Sequence, residues 1–254
     1  MLVAERIEYI SNWIRSYSNN NFNLVIGVSG GIDSAVTSTL CAKTNLKTIL
    51  VSMPIRQNNN QHSLSLEHIE WLKSKFSNVE SHIISLDKTF KIFKETMEKF
   101  QSDLAFANSR SRLRMLTLYQ IAQSNNALVV GTGNKVEDFG IGFYTKYGDG
   151  GVDISPIADL LKSEVFELAR YHKIIDEIIS AKPTDGLWND NRTDEEQIGA
   201  TYDELEKAML QELKSEVNLS QREIEVMSIY KSFNSSNRHK MDPIPVCAIP
   251  KDYI

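Results

Sequence analysis

Only two cysteines, Cys41 and Cys247, occur in 254 residues; far apart and outside any CxxC pair, they exclude a disulfide framework and a thiolate metal site. No block of Lys or Arg is present, and 28 basic against 33 acidic residues leave a net charge of −5. Binding along nucleic-acid phosphates depends on clustered cationic charge, so no nucleic-acid partner is expected. Long apolar runs are missing too: Leu24 to Val28 and Ala127 to Val130 fall far short of the roughly 20 residues that span a bilayer. The N-terminus interleaves Glu5 and Glu8 with Val3, Ile7, Ile10 and Ile14, a helical stripe rather than the charged-then-apolar layout of an export signal. No membrane association and a cytoplasmic location are therefore expected. Proportions of 41% hydrophobic, 24% charged and 9% aromatic residues are globular and exclude disorder, collagen-like repeats and low complexity.

What is present is an alternation of short apolar runs with helical stripes. The periodicity predicts a helix over 2–17, a buried strand over 24–28, a helix over 33–43, a strand over 48–53 stopped by Pro54, and a helix over 62–76. A third strand is expected at His82 to Leu86, helices over 88–100 and 103–124, and a fourth strand at Ala127 to Val130. Beyond a glycine-rich loop to Gly151, helices are expected near 159–171, 201–212 and 220–236. Strands alternating with helices imply an α/β fold, a doubly wound, mostly parallel sheet with helices on both faces and a helical C-terminal part. No repeat or linker divides the chain, so residues 1–254 read as one domain.

The segment Gly27-Val28-Ser29-Gly30-Gly31-Ile32-Asp33-Ser34 leaves a buried strand and enters a helix. In an open parallel sheet, ligands collect at the carboxyl ends of strands where the strand order reverses. Gly30 and Gly31 permit close backbone approach, and the helix start offers unpaired N–H groups and positive dipole density, which together suit a phosphate. Two glycines alone would mark no more than a tight turn capped by Asp33 or Ser34. The turn lacks the GK[ST] ending of a Walker loop, and Gly131-Thr132-Gly133-Asn134-Lys135-Val136 does not complete a GxGxxG fingerprint. A nucleophile elbow, G-x-S-x-G around Ser29, needs an upstream strand to supply an oxyanion donor, and only one helix precedes this strand.

SGGIDS after a first buried strand resembles the signature of the ATP pyrophosphatase group, whose members cleave ATP between its α- and β-phosphates to adenylate a substrate. GTGNKVED, FYTKYGDGGVDISPI, Lys162, KPTDGLW and His239-Lys240 extend the likeness along nearly the whole chain, which is similar to ammonia-dependent NAD synthetases. That resemblance implies adenylation of the nicotinate carboxylate of deamido-NAD by ATP, then displacement of AMP by ammonia. It implies Mg²⁺ as cofactor, at Asp33 and Glu137, since Mg²⁺ is commonly held by one or two carboxylates plus phosphate oxygens. It assigns ATP contacts to Gly27, Val28, Ser29, Gly30, Gly31, Ile32, Asp33, Ser34, Thr132, Lys162 and Thr184, with Asp33 and Lys162 as the catalytic pair. Deamido-NAD contacts fall to Arg112, Lys146, Asp153, His239 and Lys240. Taken singly, an Asp at a helix start, a helical Lys or a Thr before Asp185-Gly186 is most often a cap, a turn or a solvated charge.

The resemblance further implies a homodimer with the helices around 103–124 as candidate contacts, and segments 183–196 and 235–245 that order over the substrates. A first strand starting by residue 24 leaves no room for a glutamine amidase domain, so free ammonia is the expected nitrogen donor. Two departures stand out. Ser52 occupies a position where relatives often carry an adenosine-contacting arginine, with Arg56 and Gln57 as candidate substitutes. The stretch from Glu137 to Lys146 is about one residue longer than the family pattern, so residues 138–145 receive no assignment. Rival readings are another adenylating enzyme, such as a tRNA-thiolating one, which would need reactive cysteines and a basic face, and a non-catalytic ATP-binding module.

Overall fold

The residues of the central apolar runs around 24–27 and 48–52 alternate between two faces, and both faces are buried. The computed structural model describes residues 2–19, 21–55, 59–184, 193–212 and 218–250. In chain order the elements are α1 (Val3–Tyr17), β1 (Asn23–Gly27), α2 (Ile32–Lys43), β2 (Thr48–Ser52), α3 (Asn59–Lys75), β3 (Val79–Ile83), α4 (Asp87–Thr96), α5 (Asp103–Ser124), β4 (Ala127–Val129), a π-helical turn (Val136–Ile141), α6 (Lys162–His172), α7 (Asp176–Ser180), α8 (Asp194–Ile198), α9 (Tyr202–Glu212) and α10 (Gln221–Met241).

Among the described residues the sheet has four strands, all parallel, in the order β3-β2-β1-β4. Leu24, Ile26 and Leu50 point to one face, where they pack with Ile10 and Ile14 of α1, Val36 and Leu40 of α2 and Leu168 of α6. Val25, Ile49, Val51 and Val129 point to the other, against Phe90 of α4 and Phe106, Met115 and Leu118 of α5. Helices therefore cover both faces, as the alternation of runs requires. A third apolar cluster, including Val136, Ile141, Ile198, Leu205, Val226 and Tyr230, joins the π-helical turn to α8, α9 and α10. The helical C-terminal part thereby packs on the segment that follows β4. Because β2 lies on one side of β1 and β4 on the other, the strand order reverses between β1 and β4, and a crevice opens there. No helix among the described residues is long and apolar enough to cross a membrane.

Four expected boundaries are corrected. The third strand runs over Val79–Ile83, not 82–86, paired to β2 from Thr48 opposite Val79 to Ser52 opposite Ile83. It is an edge strand, with Glu80 ion-paired to Lys47 at 3.0 Å and Ile83 60% exposed, so no apolar run marks it. The helix expected over 88–100 ends at Thr96, where the Met97 N–H turns back to the carbonyls of Phe93 and Lys94. The one expected from 159 begins at Lys162, because Leu161 is extended and donates its N–H to Glu164 Oε2 at 2.8 Å. The last helix continues beyond 236 to Met241, so His239 and Lys240 stand on its final turn, where cations suit the helix dipole, rather than in a polar tail. Of the segment 235–245 expected to order over the substrates, residues 235–241 form the last turns of this helix. Within 183–196, residues 185–192 lie outside the described residues, as do Arg56 and Gln57.

His68 is buried between α2 and α3, its Nε2 2.9 Å from Ser38 Oγ and its ring stacked on Trp71. Burial pushes its imidazole down from 6.5 to about 4. The folded state thus keeps His68 neutral where the unfolded chain takes up a proton, so stability is full above about 6.5 and is lost as pH falls toward about 4. Replacing His68→Gln is expected to flatten the fall in denaturation free energy between those two pH values. An unchanged slope would contradict this account of His68.

Candidate functional site

The turn after β1 is closed by two hydroxyls. Ser34 Oγ donates to the Gly31 carbonyl at 2.9 Å and accepts from the Ser29 N–H at 3.2 Å, while Ser29 Oγ accepts from the Gly31 N–H at 3.2 Å. Gly30 sits at φ +92°, and a Cβ there would come 2.3 Å from the Gln61 carbonyl of α3, so only glycine allows that approach. The start of α2, with its positive dipole end, is thereby aimed into the crevice between β1 and β4.

Three segments distant in sequence then bring their charges together. Asp33 comes from the first turn of α2, Glu137 from the π-helical turn after β4, and Lys162 from the first turn of α6. Lys162 Nζ lies 2.6 Å from Asp33 Oδ2 and 3.1 Å from Glu137 Oε1, and its side chain is 3% exposed. A lysine in a first helical turn opposes the helix dipole, so this placement depends on the two carboxylates. Asn134 orients both: its Nδ2 donates to Asp33 Oδ1 at 3.1 Å, and its Oδ1 accepts the N–H groups of Val136 and Glu137 at 3.1 and 3.2 Å. The Tyr202 hydroxyl donates to Glu137 Oε1 at 2.6 Å.

Burial works against the Lys162 charge, but the fields of Asp33 and Glu137 outweigh it and hold the ammonium well above the ordinary lysine range. Burial is also the strongest influence on both carboxyls. At Glu137 the Lys162 charge and the Tyr202 hydrogen bond overcome it and lower the pKa, whereas at Asp33 burial prevails over Lys162, helped by the Glu137 charge, and raises it. One ammonium thus leaves two buried carboxylates under-compensated, which is the electrostatic condition a further cation relieves.

A cavity of about 290 Å³ opens on this cluster. Every residue assigned to ATP or metal by the resemblance lines it: the whole run from Gly27 to Ser34, with Thr132, Glu137, Lys162 and Thr184. No histidine is among the described residues of the lining. Ser52 is buried beneath, accepting from Ser65 Oγ at 3.1 Å, and is not part of the lining.

The lining also contains groups that sequence reasoning missed. Arg114, third of the arginines at spacing two, lines the cavity and donates Nε to the Met53 carbonyl at 3.1 Å, next to Ser52. Its spacing alone did not distinguish it from Arg110, which is buried with its guanidinium 5.6 Å from the Phe90 ring. Asp138 and Asp149 also line the cavity, both with carboxyls raised chiefly by burial and further by the Glu137 charge, and Asp149 accepts from Ser111 Oγ at 2.6 Å. Asp138 leaves no room for a side chain at Gly133, whose Cβ would meet Asp138 Oδ1 at 2.1 Å. Asn134 and Asp138 fall inside the GTGNKVED string, which was the available signal; Tyr202 has none.

The five residues assigned to deamido-NAD are not in the cavity lining. Four form a connected wall beside it: Arg112 Nε donates to the Lys146 carbonyl at 3.1 Å, Lys146 Nζ donates to the His239 carbonyl, and Lys240 Nζ donates to the carbonyls of Gly142 and Tyr144 at 2.9 and 2.8 Å. Burial lowers the pKa of Lys240, against the field of Asp149. Asp153 stands apart, accepting from the Tyr119 hydroxyl at 3.0 Å and from the Val129 N–H at 2.8 Å.

The sequence profile of the NAD synthase family matches residues 3–243. A protein of Mesoplasma florum described as an NH₃-dependent NAD⁺ synthetase is 40% identical over 223 residues, covering 85% of this chain and 88% of the relative. Among solved structures, an NMN synthetase from Francisella tularensis superposes with a TM-score of 0.85 at 33% identity, covering 99% of each chain. An NH₃-dependent NAD synthetase from Campylobacter jejuni follows with 0.79 at 25% identity, over 98% of this chain and all of that one. Matched by the family profile from the first helix to the last, and bringing the glycine turn and its acidic partners to one switch point, this chain belongs to the NAD synthase family, ligases that form a C–N bond.

Proposed function

We propose that the cavity between β1 and β4 binds ATP with Mg²⁺ and adenylates the nicotinate carboxylate of deamido-NAD for attack by ammonia. The observation that carries this reading is the buried Lys162 shared by Asp33 and Glu137 beside the Ser29–Ser34 turn. In the first step a carboxylate oxygen forms a bond to the α-phosphorus and the bond to the β-phosphate oxygen breaks, releasing pyrophosphate. In the second, the ammonia nitrogen bonds to the acyl carbon, the C–O bond to AMP breaks, and a nitrogen-bound proton is lost. Catalysis here is mostly positioning and charge screening.

The Ser29–Ser34 turn and the start of α2 receive the phosphates, and Lys162 screens their charge from within hydrogen-bond reach of both carboxylates. Arg114, donating beside Ser52, supplies the cation on the side where the family arginine is missing. Among the described residues no three His, Cys, Asp or Glu side chains could hold a metal by themselves, whereas Asp33 and Glu137 suit Mg²⁺ with phosphate oxygens and water completing its shell. When bound, the ion neutralises phosphate charge and polarises the α-phosphate. The wall of Arg112, Lys146, His239 and Lys240 faces the remainder of the dinucleotide. A second reading, amidation of nicotinate mononucleotide, draws support from the likeness to the Francisella NMN synthetase along 99% of both chains.

Two further assignments belong to this reading. The outward side of α5 exposes Leu104 and Leu116, at 60% and 66%, large apolar side chains that suit a homodimer contact. A cytoplasmic setting fits an N-terminal helix that packs Ile7, Ile10 and Ile14 into the core.

Incubation with ATP, Mg²⁺, ammonium and either deamido-NAD or nicotinate mononucleotide is expected to yield AMP, pyrophosphate and the amide in equal amounts, with ADP absent. Glutamine in place of ammonium is expected to give no turnover, and Asp33→Asn to lower pyrophosphate release on the order of 100-fold or more. Formation of ADP would refute the reading. Replacing Leu116→Glu is expected to convert a dimer to a monomer in light scattering; a variant of unchanged mass would remove α5 from the contact.

A further inference from the structure

Tyr202, the first residue of α9, has no part in the reaction as set out, yet it is buried to 5% exposure against the charged cluster. Its hydroxyl lies 2.6 Å from Glu137 Oε1 and 3.2 Å from Asp194 Oδ2. Its ring lies 4.6 Å from Lys162 Nζ. A phenol carries one O–H proton, so it cannot donate to both carboxylates at once. The shorter contact falls in the range of a hydroxyl bound to a carboxylate, about 2.5–2.7 Å, which directs the proton to Glu137. Lys162 Nζ donates to the same oxygen, Oε1, leaving Oε2 outside both bonds.

The backbone fixes this arrangement from below. The Tyr202 N–H donates to Glu195 Oε1 at 3.0 Å, and the Asp194 N–H donates to the Pro183 carbonyl at 3.0 Å. The start of α9 is thus tied to α8 rather than left free to follow Glu137. Packing alone would ask only for an aromatic ring at this position, since the third apolar cluster surrounds the ring. The hydroxyl is what reaches the carboxylate 65 residues earlier in the chain.

We infer that Tyr202 is a positioning residue for the metal–nucleotide site, its hydroxyl fixing Glu137 in the orientation that serves a divalent cation and its ring stationing the Lys162 ammonium beside both carboxylates. The inference rests on the reading that Asp33 and Glu137 hold Mg²⁺ with ATP. Tyr202→Phe keeps the ring and removes the hydroxyl. Asp194→Asn keeps the shape of the second contact, and its amide can donate to the phenol oxygen, freeing the hydroxyl proton for Glu137.

The test measures ATP affinity by calorimetry with and without Mn²⁺, in the absence of the carboxylate substrate, on proteins whose circular dichroism shows them folded. In Tyr202→Phe, the gain in ATP affinity that Mn²⁺ brings is expected to fall about tenfold, while affinity for metal-free ATP stays at the wild-type value. In turnover, the Mg²⁺ concentration for half-maximal rate is expected to rise by a similar factor, with kcat at saturating Mg²⁺ retained. Asp194→Asn is expected to keep the full Mn²⁺ gain. A full gain in Tyr202→Phe overturns the inference, as does an equal loss in Asp194→Asn, which would place the effect in the packing of α8 on α9. Glu137→Gln separates the two levels of the argument. If it loses the gain while Tyr202→Phe does not, only the role of Tyr202 falls; if it too keeps the gain, the metal reading itself falls.

Discussion

A single buried ammonium shared by two carboxylates is the interaction on which the site depends. Lys162 would be costly in its place without Asp33 and Glu137, because burial disfavours its charge and the helix start it occupies repels it. Each carboxylate would be costly without Lys162. The three therefore tie α2, the segment after β4 and α6 to one point, and that point is where the strand order reverses. The glycine turn is closed by its own hydroxyls, but the phosphate role proposed for it requires cations within reach.

The cluster has one ammonium for its two carboxylates. Two carboxylates against one ammonium leave negative charge over in a buried place, held tolerable by Asn134 at Asp33 and by Tyr202 at Glu137. A fully neutral pair would have no reason to accept a further cation, and a site with three acids would hold a metal without needing phosphate. The arrangement found lies between these, so under the proposed reading nucleotide and metal would favour one another. Asp138 and Asp149 add carboxyls to the same cavity that burial pushes toward the neutral form, which under the proposed reading would limit the repulsion that phosphates meet.

Much of the fold was legible because alternation is local. Leu24, Val25 and Ile26 announce a strand buried on both sides, and Gly30-Gly31 followed by Asp33 and Ser34 announces the turn and the helix start. The edge strand β3 was misplaced because its pairing is made by backbone groups, which apolar periodicity does not report. The last helix was cut short because its final turn is polar, though Asn234 and Asn237 bond the carbonyls of Gly140 and Ile141 and so hold it down. In the site, the residues of the two glycine strings were legible. Tyr202, Arg114 and the sharing of Lys162 were not, since each acquires its meaning from a contact dozens of residues away. The wall of Arg112, Lys146, His239 and Lys240, proposed for the substrate by resemblance alone, is held by bonds that run through backbone carbonyls, which no side-chain pattern encodes.

The shared ammonium is tested most directly by equilibrium unfolding of Lys162→Met at neutral pH in metal-free buffer. Removing one partner of a buried charged group leaves the others uncompensated, and the account predicts a loss of about 3–5 kcal/mol that added Mg²⁺ partly restores. A variant as stable as the parent protein, indifferent to Mg²⁺, would contradict it.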